Sequence, residues 1–307
     1  MGAIAISSFS LFTQLGPLHF ETRGDDGVVR PSAMDLPSRI DLEQFIALVP
    51  QETGLTAVEL CQVQFGETTP QRLERLKAAF ATAGVRLLTV PIDVGDISTP
   101  DAAHRDEDVL RIIDWLDIAQ SLGARFARVR IGSPIEGADT EGSGLVRALG
   151  TLADEAARRH LELLVENHGG LSSDPGFLLS LQKQIGEDRM GILLDLGNFE
   201  PVSTVSIGRI TGNPVDESGL DVEHIYKKIE MLAPHARLVH AKAIDAGADG
   251  EPLLDLDRSL AIVAQAGYDG DISIEWEGLL GDPWEQVRRV VERIRRAFPA
   301  MADVKAS

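Results

Sequence analysis

The chain has 307 residues, 44% hydrophobic and 25% charged, a balance that allows a sizeable buried core and excludes a wholly disordered protein. Its 48 acidic against 29 basic residues give a formal charge of -19, which repels phosphate backbones and anionic membranes, so neither nucleic acid nor membrane is an expected partner. Cys61 is the only cysteine, which excludes an intrachain disulfide and a multi-cysteine zinc site.

The stretch Met1 to Ser10 has no basic flank and too short an apolar run for a signal peptide. No segment approaches the roughly 18 apolar residues of a membrane span. With a single cysteine, a reducing cytoplasmic setting is the expectation. Short apolar, β-rich runs then alternate with amphipathic ones. The predicted strands are Ala3 to Ser8, Ala57 to Gln64, Val85 to Ile92, Phe126 to Ile131, Glu162 to Glu166, Gly191 to Asp195, Arg237 to Ala243 and Asp271 to Glu275. The punctuation between them is helical: Pro70 opens a run that Gly84 stops, and Asp106 opens one that Gly123 stops. Further helices are predicted near Asp41 to Gln51, Gly144 to His160, Asp174 to Ile185, Val222 to Leu232, Asp257 to Ala266 and Pro283 to Phe298.

Repeated βα units imply an α/β fold with a parallel sheet. No Gly-x-Gly-x-x-Gly turn follows the first strand, so the expectation is a single (β/α)8 barrel over residues 1–307 rather than an open dinucleotide-binding sheet. No linker, low-complexity tract or charge run suggests a second domain. Two connections are unusually long, Phe9 to Ser38 and Pro201 to Gly219. Both follow strands, which puts them on the active face as expected lids or binding loops.

Chemistry-bearing residues gather at the strand ends. Residues two apart on a strand point the same way, so Glu166 with His168, His240 with Lys242, and Glu275 with Glu277 project as pairs beyond apolar runs. Asp195 ends another such run and is followed by Gly197 and Asn198. Three carboxylates and an imidazole at one barrel mouth repel one another unless protonated or joined by a cation. A divalent ion removes the conflict, and an oxygen-rich set with one nitrogen suits Mn2+, Mg2+ or Co2+, with Zn2+ as a further alternative and Mn2+ the expected ion. Lys242 either binds a substrate oxygen or neutralises the acidic cluster. His168 either contacts substrate or packs as a hydrogen-bonded histidine, and Glu277 reads as a neighbour of the ligands rather than one of them. Arg128 and Arg130 near the fourth strand end can bring a guanidinium to the mouth, Arg130 being the candidate substrate contact, or form an ion pair in the barrel wall. Glu59 and Cys61 project alike on the second strand, and Cys61 reads as core.

Four stretches carry a resemblance: Val-Glu-Asn-His-Gly-Gly at 165–170, Leu-Asp-Leu-Gly-Asn at 194–198, Val-His-Ala-Lys-Ala-Ile-Asp at 239–245 and Ile-Ser-Ile-Glu-Trp-Glu at 272–277. In this order and spacing the chain resembles the sugar phosphate isomerase/epimerase family of xylose-isomerase-like barrels. The resemblance covers the C-terminal half best. It implies that Glu166, Asp195, His240 and Glu275 bind one divalent metal, and that Glu166 and Glu275 move protons if the reaction is of the same type. Some of those epimerases place a histidine three residues after the aspartate; here that position is Asn198, the expected substrate contact. The resemblance also makes a homo-oligomer an expectation.

The expected reaction is isomerisation or epimerisation of a ketose or related polyhydroxy carbonyl compound, by proton abstraction beside the carbonyl and a metal-stabilised enediolate. The alternative uses the same opening step and then eliminates a β-hydroxyl or glycosyl group, as a dehydratase or lyase of a keto-sugar or keto-inositol. An apurinic endonuclease needs a multi-histidine site, whereas only His168 and His240 of the seven histidines sit at predicted strand ends. A non-catalytic binding protein has little use for four metal-competent groups at one end.

Overall fold

The computed structural model describes residues 2–132, 143–213, 215–217, 220–245 and 253–301. In chain order the strands and helices are β1 (Ile4–Ser7), β2 (Leu18–Arg23), β3 (Val29–Met34), α1 (Leu42–Thr53), β4 (Ala57–Glu59), α2 (Pro70–Ala83), β5 (Arg86–Ile92), α3 (Ala102–Ser121), β6 (Phe126–Val129), α4 (Ser143–Arg158), β7 (Glu162–Glu166), α5 (Pro175–Ile185), β8 (Met190–Asp195), α6 (Val202–Ile210), α7 (Glu223–Leu232), β9 (Ala236–Ile244), α8 (Leu256–Gln265), β10 (Asp271–Glu277) and α9 (Pro283–Ala297). Eight parallel strands close in the order β1, β10, β9, β8, β7, β6, β5, β4, with β1 pairing both β10 and β4. This is a (β/α)8 barrel. No helix among the described residues is long and apolar enough to cross a membrane.

Helix boundaries follow local chemistry. Asp41 accepts from Gln44 N at 2.8 Å while the Gln44 side chain accepts from Asp41 N at 2.9 Å, a reciprocal cap that starts α1. Gly54 stops it in the left-handed region, at φ 71°. The third helix starts earlier than the sequence suggests, at Ala102, because Asp101 accepts from both Ala103 N and His104 N. The predicted strand Ala57 to Gln64 is shorter: β4 ends at Glu59, and Gln62–Gln64 form a 3-10 turn.

Two larger corrections concern the long connections. The 9–38 segment is not open loop, since β2 and β3 pair antiparallel from Leu18 with Met34 to Arg23 with Val29. Only Leu18 of the two strands is buried and β3 contains Pro31, so neither carries the apolar alternation by which a strand is recognised. Arg23 ties this hairpin to α3 through Glu107 at 2.8 Å and Asp108 at 2.7 Å. The 201–219 segment contains α6, whose Val202 and Val205 are buried; its run of Ser, Thr, Val and Gly has weak helix propensity, and tertiary burial overrides it. Residues 214, 218 and 219 of that segment lie outside the described residues.

The core has two parts. The larger lies between strands and helices, and the smaller fills the barrel with Ala5, Ala57, Leu88, Phe126, Leu164, Leu193 and Leu238. Period-2 alternation makes this plug the floor of the site. Two residues beyond five of its members stand Glu59, Arg128, Glu166, Asp195 and His240, all buried.

Candidate active site

Glu166 and Asp195 end β7 and β8, and Asp195 pairs in register with His240 on β9. On β10, Glu275 pairs with Lys242. The adjoining strand ends bring Glu166, Asp195 and His240 together, with one potential ligand atom of each within 4.8 Å of the others. His240 Nδ1 is 3.4 Å from Asp195 Oδ2, 3.6 Å from Glu275 Oε2 and 3.8 Å from Glu166 Oε1. None of the four is more than 6% exposed.

Neighbouring side chains fix this cluster. Asn167 grips the backbone of Asp195 twice, donating to its carbonyl and accepting from its N–H, each at 2.8 Å. Gly197 N donates to Asp195 Oδ1 at 2.7 Å, leaving Oδ2 buried without a hydrogen bond, as is His240 Nδ1. Arg128 Nε lies 2.8 Å from Glu166 Oε2, and its Nη1 donates to Asp93 Oδ1 at 2.6 Å. Asn198 donates to Glu166 Oε1 at 2.9 Å. Lys242 Nζ contacts Glu277 at 2.6 Å, Asn198 Oδ1 at 2.8 Å and Glu275 Oε1 at 2.9 Å. Ser206 of α6 donates a very short hydrogen bond to the other Glu277 oxygen, so the helix missed in the sequence buttresses the site. Gly197 leaves room for Lys242, because a Cβ there would stand 2.8 Å from the lysine Cγ and Cδ.

These contacts set the charge states of the two glutamates apart. Burial pushes the Glu166 carboxyl up to about 7, against the opposing pull of Arg128 and His240. Burial acts on Glu275 in the same direction, but the Lys242 and His240 charges outweigh it and hold that carboxyl at about 2. Desolvation, with Arg128 nearby, pushes the half-buried His168 down to about 4.

Glu166, Asp195, His240 and Glu275 thus adjoin one another, with two shifts of emphasis among their neighbours. Asn198 and Lys242 touch the acidic cluster directly, and Glu277 anchors Lys242. Arg128, rather than Arg130, reaches Glu166; Arg130 donates to the Asp93 carbonyl at 2.9 Å and stays partly exposed. Glu59, noted in the sequence but given no role, is fully buried with Oε2 2.8 Å from His240 Nε2. The polar-after-apolar rule that selects Glu166 applies equally to Glu59 two residues after Ala57.

The donor set fits a divalent cation. Glu166, Asp195, Glu275 and Glu277 crowd around Arg128 and Lys242, with Glu59 behind His240, leaving negative charge uncompensated, and buried donor atoms on Asp195 and His240 have no hydrogen-bond partner.

A closed parallel barrel with an acid–imidazole cluster at its strand ends defines the class of protein. The sequence profile of the xylose isomerase-like TIM barrel family matches residues 50–303, and the chain belongs to that family. A relative from Streptomyces coelicolor, named as a candidate hydroxypyruvate isomerase, is 29% identical over 236 residues, covering 73% of this chain and 81% of the relative. A solved L-ribulose 3-epimerase aligns over 100% of this chain and 99% of its own, with a TM-score of 0.65 and 17% identity. A D-psicose 3-epimerase from Clostridium cellulolyticum H10, solved with D-tagatose, aligns over 99% and 98% with a TM-score of 0.61 and 14% identity. At these identities the solved structures establish the shared fold.

Proposed function

We propose that the chain, acting as one barrel domain, is an isomerase or epimerase of a ketose or related polyhydroxy carbonyl compound. It depends on one divalent cation, Mn2+ foremost, held by Glu166, Asp195, His240 and Glu275. The observation that carries the proposal is the convergence of Glu166, Glu275 and Asp195 Oδ2, from β7, β10 and β8, on His240 Nδ1, with Asp195 Oδ2 and His240 Nδ1 both buried without hydrogen bonds. The names of the relatives, two sugar 3-epimerases and a candidate hydroxypyruvate isomerase, point to the same chemistry.

The bound ion would supply Lewis-acid polarisation of the substrate carbonyl. The chain's own groups handle the proton. One glutamate takes it from the carbon beside the carbonyl and the other returns one on the opposite face, which inverts that carbon; a single glutamate carrying the proton between neighbouring carbons isomerises instead. Arg128 and Asn198 hold the Glu166 oxygens in one orientation, and Lys242 does the same for Glu275. Lys242 and Asn198 offer polar contacts to a substrate oxygen, with His168 and Arg130 further out toward the rim.

The test is incubation of Mn2+-loaded and chelated protein with ketoses and keto-inositols in D2O, followed by NMR. Metal-dependent deuterium uptake with inversion or carbonyl migration is the expected outcome. Loss of water or of a glycosyl group would assign an elimination, and no exchange with any such compound would contradict the proposal.

A further inference from the structure

Glu59 is a buried charge inside the barrel that the proposed reaction leaves without a task. It ends β4, is 0% exposed, and reaches the barrel interior toward His240 on β9. Its Oε2 accepts from Ser273 Oγ at 2.9 Å and lies 2.8 Å from His240 Nε2, close though not in linear hydrogen-bond geometry. Among the described residues His240 is its ion-pairing neighbour, with no lysine or arginine within pairing distance. Ser273 pairs in register with His240 and stands two residues before Glu275 on β10, so the strand that carries one candidate ligand also braces Glu59.

The imidazole therefore has a carboxylate at each nitrogen. Nε2 faces Glu59, while Nδ1 faces Asp195, Glu275 and Glu166. A neutral imidazole has one N–H and one lone pair, and the partner of one nitrogen decides the role of the other. An ionised carboxylate only accepts hydrogen bonds. Two arrangements compete: the proton on Nδ1, donated to Asp195, or the proton on Nε2, donated to Glu59. Only the second leaves a lone pair aimed at the strand-end carboxylates.

We propose that Glu59 is the positioning residue of His240: by accepting from Nε2–H it keeps the Nδ1 lone pair turned to the centre, making the imidazole a neutral nitrogen donor to a divalent ion. The inference rests on the metal site of the proposed function, and the general effect of such partners on metal affinity is about 10- to 100-fold.

Two measurements on the full chain test it. The first is the Mn2+ dissociation constant by calorimetry for wild type, Glu59→Gln and Glu59→Asp, each checked for an unchanged circular-dichroism spectrum. Glu59→Gln keeps the shape and loses the charge, so its affinity falls about 10- to 100-fold, and Glu59→Asp recovers part of the loss. The second needs no substitution: 15N NMR of the Zn2+-loaded wild type, in which His240 shows a protonated Nε2 and a metal-bound Nδ1. Unchanged affinity in folded Glu59→Gln, or metal on Nε2, overturns this inference and leaves the proposed function standing. A wild-type chain that binds no divalent ion overturns both.

Discussion

The two sides of the site are built from the same strand-end geometry and braced by different chemistry. On the β6 to β8 side, Glu166 is held by the planar guanidinium of Arg128, itself fixed by Asp93, and by the Asn198 amide. On the β9 to β10 side, Glu275 shares one ammonium, Lys242, with Glu277 and Asn198. A planar guanidinium set between two carboxylates fixes an orientation, whereas an ammonium supplies charge to several oxygens at once. In the ion-free site the contrast raises one carboxyl, Glu166, to about 7 and holds the other, Glu275, at about 2.

The largest effect expected from breaking this contrast is catalytic. Glu166→Gln and Glu275→Gln each lower kcat by about 10²- to 10⁴-fold, measured by deuterium exchange at saturating Mn2+. Activity intact in both variants would remove the two glutamates from the mechanism. Next come the braces. Arg128→Met leaves Glu166 without its cation and Asp93 with only the more distant Arg130, and costs about 3–5 kcal/mol of stability, read from urea unfolding. Arg128→Lys restores charge but not the fork, so it recovers stability better than kcat.

A smaller effect sharpens the Lys242 side. Gly197→Ala drives a Cβ against the lysine Cγ and Cδ and costs about 1–3 kcal/mol. Combining it with Lys242→Ala should lose less than the sum of the two, and strict additivity in a double-mutant cycle would sink the packing argument. The smallest concerns pH. Burial alone would raise the Asp93 carboxyl, but Arg128 and Arg130 outweigh it and hold it well below the usual carboxylate range. A depressed folded pKa gives stability present above the unfolded value near about 4 and lost as pH falls through the folded one. Asp93→Asn should therefore flatten the acid limb of the unfolding curve below about pH 4; an unchanged limb would contradict the pairing.

Much of this was legible in the sequence because burial and alternation act together along the barrel strands. Leu164 then Glu166, Leu193 then Asp195, and Leu238 then His240 each mark an apolar floor residue followed by a polar one facing the same way. The β2–β3 hairpin was illegible because only Leu18 of its strands is buried and Pro31 stands within β3, and α6 because its residues favour neither state strongly until Val202 and Val205 find a core. Arg128 and Arg130 share a parity, so sequence could place both at the mouth without saying which reaches inward. Depth decided it: Arg128 is 4% exposed and Arg130 sits further along the chain, beyond the end of β6. The same limit hid the pairing of Glu59 with His240, which joins residues 59 and 240 across the barrel interior.

The proposed ion at the strand-end cluster is open to direct observation. Anomalous diffraction at the manganese edge from Mn2+-loaded crystals tests it most directly. A single strong peak is expected within ligand distance of Glu166, Asp195, His240 Nδ1 and Glu275; a peak elsewhere, or none at this cluster after loading, would remove the metal site.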